Sequence, residues 1–285
     1  MTSPTTTMAH RILIVNCYPQ ASRENFDRQD VGHPHDLFRD FLAREAPNAT
    51  TEIVYIADPG FALPDGTTID DFDGVIWTGS DLRLGDTDDP RVARQRTFAR
   101  QLLDAGTACW GSCWGIQLAS VVAGGEVGVN PRGREWGIAR DIALTDYAAT
   151  SPMHEGKPAK FDAFIMHLDE VTALPGDVRL LATNDHTPVQ AAVIGSFWAT
   201  QYHPEYNLLE MGRLIAARAA ALVKEGFFDD EEAVARYADA MKALAADPGS
   251  AELRAELDVG DDIIDPALRE VELRNWLRYV DSQAG

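Results

Sequence analysis

The chain has 285 residues, 45% hydrophobic and 25% charged, and a formal net charge of −20 from 45 acidic and 25 basic residues. This is ordinary globular usage, which excludes disordered, collagen-like and disulfide-scaffold chains. A surface this negative repels phosphates and argues against nucleic acid and anionic membranes as partners.

Three cysteines are too few for a disulfide framework and fit a reducing compartment. No apolar run approaches the length of a membrane span. Residues 1–10 (MTSPTTTMAH) read as a flexible polar tail rather than a secretion signal, so a cytoplasmic location is expected.

In chain order, residues 11–18 (RILIVNCY) form a short β-branched run without alternation, the pattern of a strand buried on both faces. Residues 52–57 and 74–78 read likewise, with a helix over 36–45 between the first two strands. Pro90 opens an amphipathic helix that runs to Asp104 and is closed by Gly106. Residues 107–110 run as a strand straight into Gly111-Ser112-Cys113-Trp114-Gly115, with a helix beginning near Ile116. Such alternation predicts an α/β fold, a mostly parallel central sheet flanked by helices.

Residues 138–200 change to short strands at 138–145, 161–168, 179–183, 191–194 and 198–202, read as an antiparallel edge returning to the main sheet. Residues 207–225 read as one helix stopped by Gly226. Roughly three more helices follow, one starting in the acidic 229–232 cluster and the last N-capped by Asp265 with Pro266 in its first turn. The expected organisation is a tail over 1–10, a catalytic domain over 11–225 and a C-terminal helical extension over 226–285.

Gly111-x-Cys113-x-Gly115 carries the strongest chemical signal. A strand-to-helix elbow strains its central residue and exposes the side chain above the sheet, and the flanking glycines let backbone pass without a Cβ clash. A cysteine there sits at a helix N-terminus, which favours the nucleophilic thiolate. Gln201-Tyr202-His203-Pro204-Glu205 follows another strand. His203 and Glu205, two apart on extended backbone, project to one side, so the carboxylate can orient an imidazole that serves the thiol. Trp77-Thr78-Gly79-Ser80 ends a third strand. The N–H groups of Gly79 and Trp114 are the natural donors for an oxyanion formed on attack by Cys113.

Taken together, Gly-Ser-Cys-Trp-Gly-Ile-Gln over 111–117, Gln-Tyr-His-Pro-Glu over 201–205 and Thr-Gly-Ser over 78–80 resemble the class I, triad-type glutamine amidotransferases. Residues 130–137 (NPRGREWG) and 167–171 (HLDEV) resemble the branch related to the amidotransferase domain of GMP synthetase. That branch includes free-standing members and plant γ-glutamyl peptidases. The resemblance covers about residues 11–225 and implies a flavodoxin-like fold.

It also implies cleavage of a γ-glutamyl amide through a glutamyl thioester, with no metal or organic cofactor. Cys113 would be the nucleophile, His203 the base and Glu205 the third member. Gln117 matches a position that helps hold the γ-glutamyl group, and Ser80, His167 and Arg132 join it as candidate substrate contacts. Trp114 departs from the smaller residue usual after the cysteine, the loop over 81–90 is strongly acidic, and residues 19–35 are more than the core fold needs.

Cys17 and Cys109, inside predicted strands, read as buried hydrophobes. His33-Pro-His35-Asp36 reads as a polar loop, with no third ligand cluster to make a metal site. The chain lacks the Ser-Gly-Gly-x-Asp-Ser run of an ATP pyrophosphatase. Two arrangements around the same chemistry are therefore expected: a self-sufficient hydrolase of small-molecule γ-glutamyl substrates, or a glutaminase subunit delivering ammonia to a separate synthetase partner. The acidic C-terminal helices read as a solvated face, with a homo-oligomer contact as the alternative. The acidic loop is expected to disfavour anionic acceptors.

Overall fold

Strand β1 (Arg11–Asn16) pairs in parallel on both edges, and its residues 12–15 are fully buried, as an apolar run without alternation requires. The computed structural model describes residues 10–283. After β1 come α1 (Gln20–Arg28), α2 (Pro34–Glu45), β2 (Thr50–Tyr55), β3 (Gly74–Trp77), α3 (Pro90–Ala105), β4 (Cys109–Ser112) and α4 (Trp114–Val122). The strand-rich stretch holds β5 (Glu126–Val129), β6 (Glu135–Leu144), β7 (Lys160–His167), β8 (Asp169–Ala173), β9 (Leu180–Thr183), β10 (Ala191–Ile194) and β11 (Phe197–Thr200). Helices α5 (Leu208–Ala217), α6 (Ala219–Lys224), α7 (Glu231–Ala246), α8 (Ala251–Leu257), α9 (Asp261–Ile264), α10 (Pro266–Arg269) and α11 (Val271–Gln283) complete the chain.

The central sheet runs β2-β1-β3-β4-β11-β10-β9-β6-β7. From β2 to β11 every pairing is parallel, and from β11 to β7 every pairing is antiparallel. The fold is α/β with helices on both faces, and the antiparallel segment is the edge read from residues 138–200. Because β4 and β11 are parallel neighbours in register, with Ser112 opposite Thr200, the residues leaving both strands emerge side by side. The carboxyl ends of parallel strands are where open α/β sheets place their sites.

Several elements differ from the sequence reading. Residues 19–35 contain α1, a polar helix whose one large apolar side chain, Phe26, packs edge-on to Tyr18 at 5.0 Å. Its single anchor leaves no helical stripe to detect. Strands β5 and β8 form a separate two-stranded sheet. The helix expected over 207–225 breaks at Arg218 into α5 and α6. The expected tail over 1–10 lies outside the described residues except for His10, which is buried and bonded to Asp281 of α11.

The extension over 226–285 is not appended to a finished core. Leu273, Trp276, Leu277 and Val280 on α11 share one buried cluster with Ile12, Trp110 and Trp198 of the sheet. Gly74 lies against them: a Cβ there would stand 3.0 Å from the Trp276 ring, a tight contact to which the ring would have to yield. A second contact is polar: the buried Lys157 ammonium bonds Leu268 O, Arg269 O and Glu272 Oε2 at 3.0, 3.2 and 3.1 Å. Glu272 also accepts the Tyr202 hydroxyl at 2.5 Å, so α11 holds the residue preceding His203.

Trp276→Ala is expected to cost about 3–5 kcal/mol of folding stability, the range for emptying a large core side chain. Urea denaturation of the two chains checks it. A chain ending at residue 225 should show no cooperative unfolding transition.

Candidate active site

The site starts from the elbow between β4 and α4. Cys113 has φ 54° and ψ −93°, a conformation an L-residue holds only when its surroundings over-determine it. Its N–H is fixed by Thr200 O at 2.7 Å across the β4–β11 pair. A Cβ on Gly111 would come 2.8 Å from Gly115 Cα, so the first glycine permits the close turn; a Cβ on Gly115 would be in ordinary contact with Trp77, at 3.6 Å. The thiol is 7% exposed and lies 3.8 Å from Met166 O. Trp114, the departure next to it, turns away into the core and donates its Nε1–H to the buried Gln95 at 2.7 Å.

His203 and Glu205 leave β11 beside that elbow. His203 Nδ1 is 2.7 Å from Glu205 Oε1, and the His203 N–H is anchored on Phe164 O of β7 at 2.8 Å. Burial alone would lower the imidazolium. The Glu205 carboxylate and the hydrogen bonds to Cys113 and Glu205 outweigh it and raise His203 to about 10. Such a residue keeps its proton at neutral pH beside the thiol. Burial pushes the thiols of Cys17 and Cys109 upward, which leaves them inert.

Glu205 is held from behind by a chain that residue types alone did not mark. Ser112 Oγ donates to Glu205 Oε2 at 2.9 Å and accepts the Trp110 indole N–H at 3.0 Å. Trp110 and Ser112 are two apart on β4, so strand alternation gives them one face, and that spacing was the available signal.

Gly79 faces His203: a Cβ there would stand 3.2 Å from His203 Cε1 and 3.3 Å from the Tyr18 hydroxyl. Among the described residues, neither the Gly79 N–H nor the Trp114 N–H has an acceptor. Ser80 lines the same pocket and donates to Cys17 O at 3.0 Å. Gln117 lines it too and donates to Asp169 O at 2.6 Å. The pocket holds about 200 Å³ above Cys113.

His167 reaches its wall, but both ring nitrogens are occupied, by Asp169 O at 3.0 Å and Glu135 Oε2 at 3.2 Å. Glu135 also accepts from Asn184 and Gln190 and is buried, so it locks the end of β6 to β7. Arg132 is the misplaced candidate. It is exposed and weakly bonded to His186 O at 3.5 Å, outside the pocket lining. Arg134, a candidate for the same contact from its place in the 130–137 run, does line the pocket, together with Arg83 and Arg218. Of the acidic loop, Asp81, Leu82 and Arg83 reach the pocket, while Asp89 caps α3.

Fold and site define a cysteine-elbow α/β amidotransferase scaffold, and comparison with known proteins agrees. The family described as Glutamine amidotransferase class-I matches residues 61–221, and the chain belongs to that family. It is 33% identical to a γ-glutamyl-L-1-hydroxyisopropylamide hydrolase from a Pseudomonas species, over 95% of this chain and 92% of that protein. It is 30% identical to a GMP synthase of Thermomicrobium roseum over half of this chain, but that match spans 25% of the synthase. A solved glutamine amidotransferase from Thermotoga maritima superposes with a TM-score of 0.68 at 18% identity, covering 96% of this chain and 99% of that one.

Replacing Glu205 by Gln removes the carboxylate and leaves burial opposed only by Cys113, so His203 should titrate well below the parent's value of about 10. Imidazole NMR against pH reads this directly. Because the folded value in the parent is raised, His203 adds stability that is complete below about pH 6.5 and fades as pH climbs toward 10. The Gln variant should lose that dependence.

Proposed function

We propose that this chain is a self-sufficient hydrolase of γ-glutamyl amides, acting through a glutamyl thioester on Cys113. The observation that carries the reading is the juxtaposition at one pocket of a strained elbow cysteine with a buried His203–Glu205 pair. The near full-length likeness to a γ-glutamyl amide hydrolase supports the free-standing form.

In this reading Cys113 Sγ adds to the γ-carbonyl carbon, and the developing oxyanion takes the N–H groups of Gly79 and Trp114. One such donor is worth about 10²–10³ in turnover. The tetrahedral adduct collapses by breaking the C–N bond as His203 gives its proton to the departing amine. Water then loses a proton to His203 and adds to the thioester, and the C–S bond breaks to release glutamate and restore the Cys113 thiolate beside protonated His203. Glu205, held by Ser112, keeps His203 in the tautomer that faces the sulfur and stabilises the imidazolium. Gln117 bonds the carbonyl of Asp169 and so shapes the wall that receives the glutamyl group, with Ser80 fixing the opposite turn.

The match to GMP synthases favours one competing arrangement, a glutaminase subunit that needs a synthetase partner. Glutamate release by the purified chain alone separates the two. Rapid turnover of a substituted γ-glutamyl amide is expected, and slow turnover of glutamine as the sole activity would overturn the free-standing reading. Cys113→Ser should lower kcat by about 10³-fold or more.

A further inference from the structure

Three arginines line the pocket above Cys113, and two are already paired. Arg83 grips Asp169 through two bonds of 3.1 Å, and Arg134 grips Glu225 at 2.7 and 3.1 Å. Arg218 has no such partner: among the described residues its side chain makes no ion pair and no hydrogen bond, and its Nε is buried and unsatisfied. None of the cation–π contacts among them involves it. The guanidinium therefore lines the pocket with donors that no protein group takes up, which leaves them to water or to a ligand.

Its position says what that something is attached to. Arg218 stands where the helix breaks between α5 and α6, with φ −109° and ψ 14°. It lines the catalytic pocket and also a neighbouring groove of about 320 Å³ between α1 and the α5–α6 break. Leu214 and Asp81 line both spaces as well, so the two adjoin at Arg218. The catalytic pocket, at about 200 Å³, is smaller than the roughly 300 Å³ at which small-molecule sites usually begin. A substrate whose glutamyl half fills it must send its amine substituent outward, and the groove past Arg218 is the space beside it. Two carboxylates oppose it there: Asp81 is exposed and screened by solvent, and Glu225 is already gripped by Arg134.

We infer that Arg218 is a specificity determinant that binds a carboxylate on the departing amine, so that the preferred substrates are γ-glutamyl amides of amino acids. The inference rests on the γ-glutamyl hydrolase reading above and names its substrate class. A carboxylate on a fixed guanidinium can take two parallel N–H bonds, a geometry that a neutral alkyl group cannot use.

The test compares γ-glutamylalanine with γ-glutamyl isopropylamide, which differ by one carboxylate in place of a methyl group. The parent chain should favour γ-glutamylalanine in kcat/KM by about 10-fold or more. Arg218→Gln should shrink that preference about 10- to 100-fold, chiefly through KM. Arg218→Lys should recover part of it, and melting curves show whether each variant folds.

Equal losses on both substrates would overturn the inference and assign Arg218 to the glutamyl group's own carboxylate. An unchanged ratio in the Gln variant, or a parent that prefers the isopropylamide, would overturn it outright. Calorimetric binding of both compounds to Cys113→Ser, with and without Arg218→Gln, reads the same ratio without turnover. Arg218-dependent binding in a chain that hydrolyses neither compound would sink the hydrolase reading and leave the carboxylate site standing.

Discussion

The backbone of Cys113 occupies a conformation that costs about 1–3 kcal/mol, and much of the molecule serves to keep it there. Strand β4 is clamped between parallel neighbours β3 and β11, so the elbow cannot relax toward the strand. The bond from Cys113 N–H to Thr200 O pins the first residue past the strand. On the other side, a Cβ at position 111 would come 2.8 Å from Gly115 Cα, so the turn in this form has room only for glycine there. The strain is thus stored locally and supported by the sheet. The return is a sulfur at the mouth of a pocket and at the start of a helix.

Proton handling depends on a second supported element, the run that carries His203 and Glu205. Glu205 is buried, and a buried carboxylate is tolerable only when its oxygens are bonded. One oxygen takes His203 and the other takes Ser112, which in turn takes Trp110. The imidazole can therefore hold its proton despite burial, because the carboxylate beside it outweighs desolvation. The preceding residue, Tyr202, is tied to Glu272 on the last helix, and Glu272 to Lys157. The C-terminal helices reach the chemistry through this chain of buried polar bonds as well as through Trp276.

Charge around the pocket is arranged differently from charge on the surface. The chain is strongly acidic overall, yet the pocket is lined by three arginines and the acidic loop turns most of its carboxylates elsewhere. Net charge therefore carries information about solubility and about unlikely polyanionic partners, but not about the sign of the local field that a small substrate meets.

The motifs around Cys113, His203 and Glu205, the parallel-sheet class and the positions of most strands along the chain were legible in the chain itself, because they depend on local rules. A run such as RILIV has no alternation when both faces are buried, and Gly-x-Cys-x-Gly describes a turn with no room for side chains. The cap at Asp265 was legible for the same reason, since it accepts from Ala267 as its place before Pro266 implies, but it caps the four-residue α10 rather than the last helix, which begins anew at Val271. Helix α1 was not, since one phenylalanine in nine residues gives no periodic stripe. Neither was the integration of α11, whose apolar face could have met any surface, until Gly74 left space for Trp276. Arg132 and Arg218 show the limit most sharply. Both are cations beside small residues in the sequence, but Arg132 lies in solvent beside the turn at Gly133 and Arg218, at the break between α5 and α6, lines the pocket. Side-chain direction at a turn or a helix break is set by tertiary packing, and only the folded chain decides it.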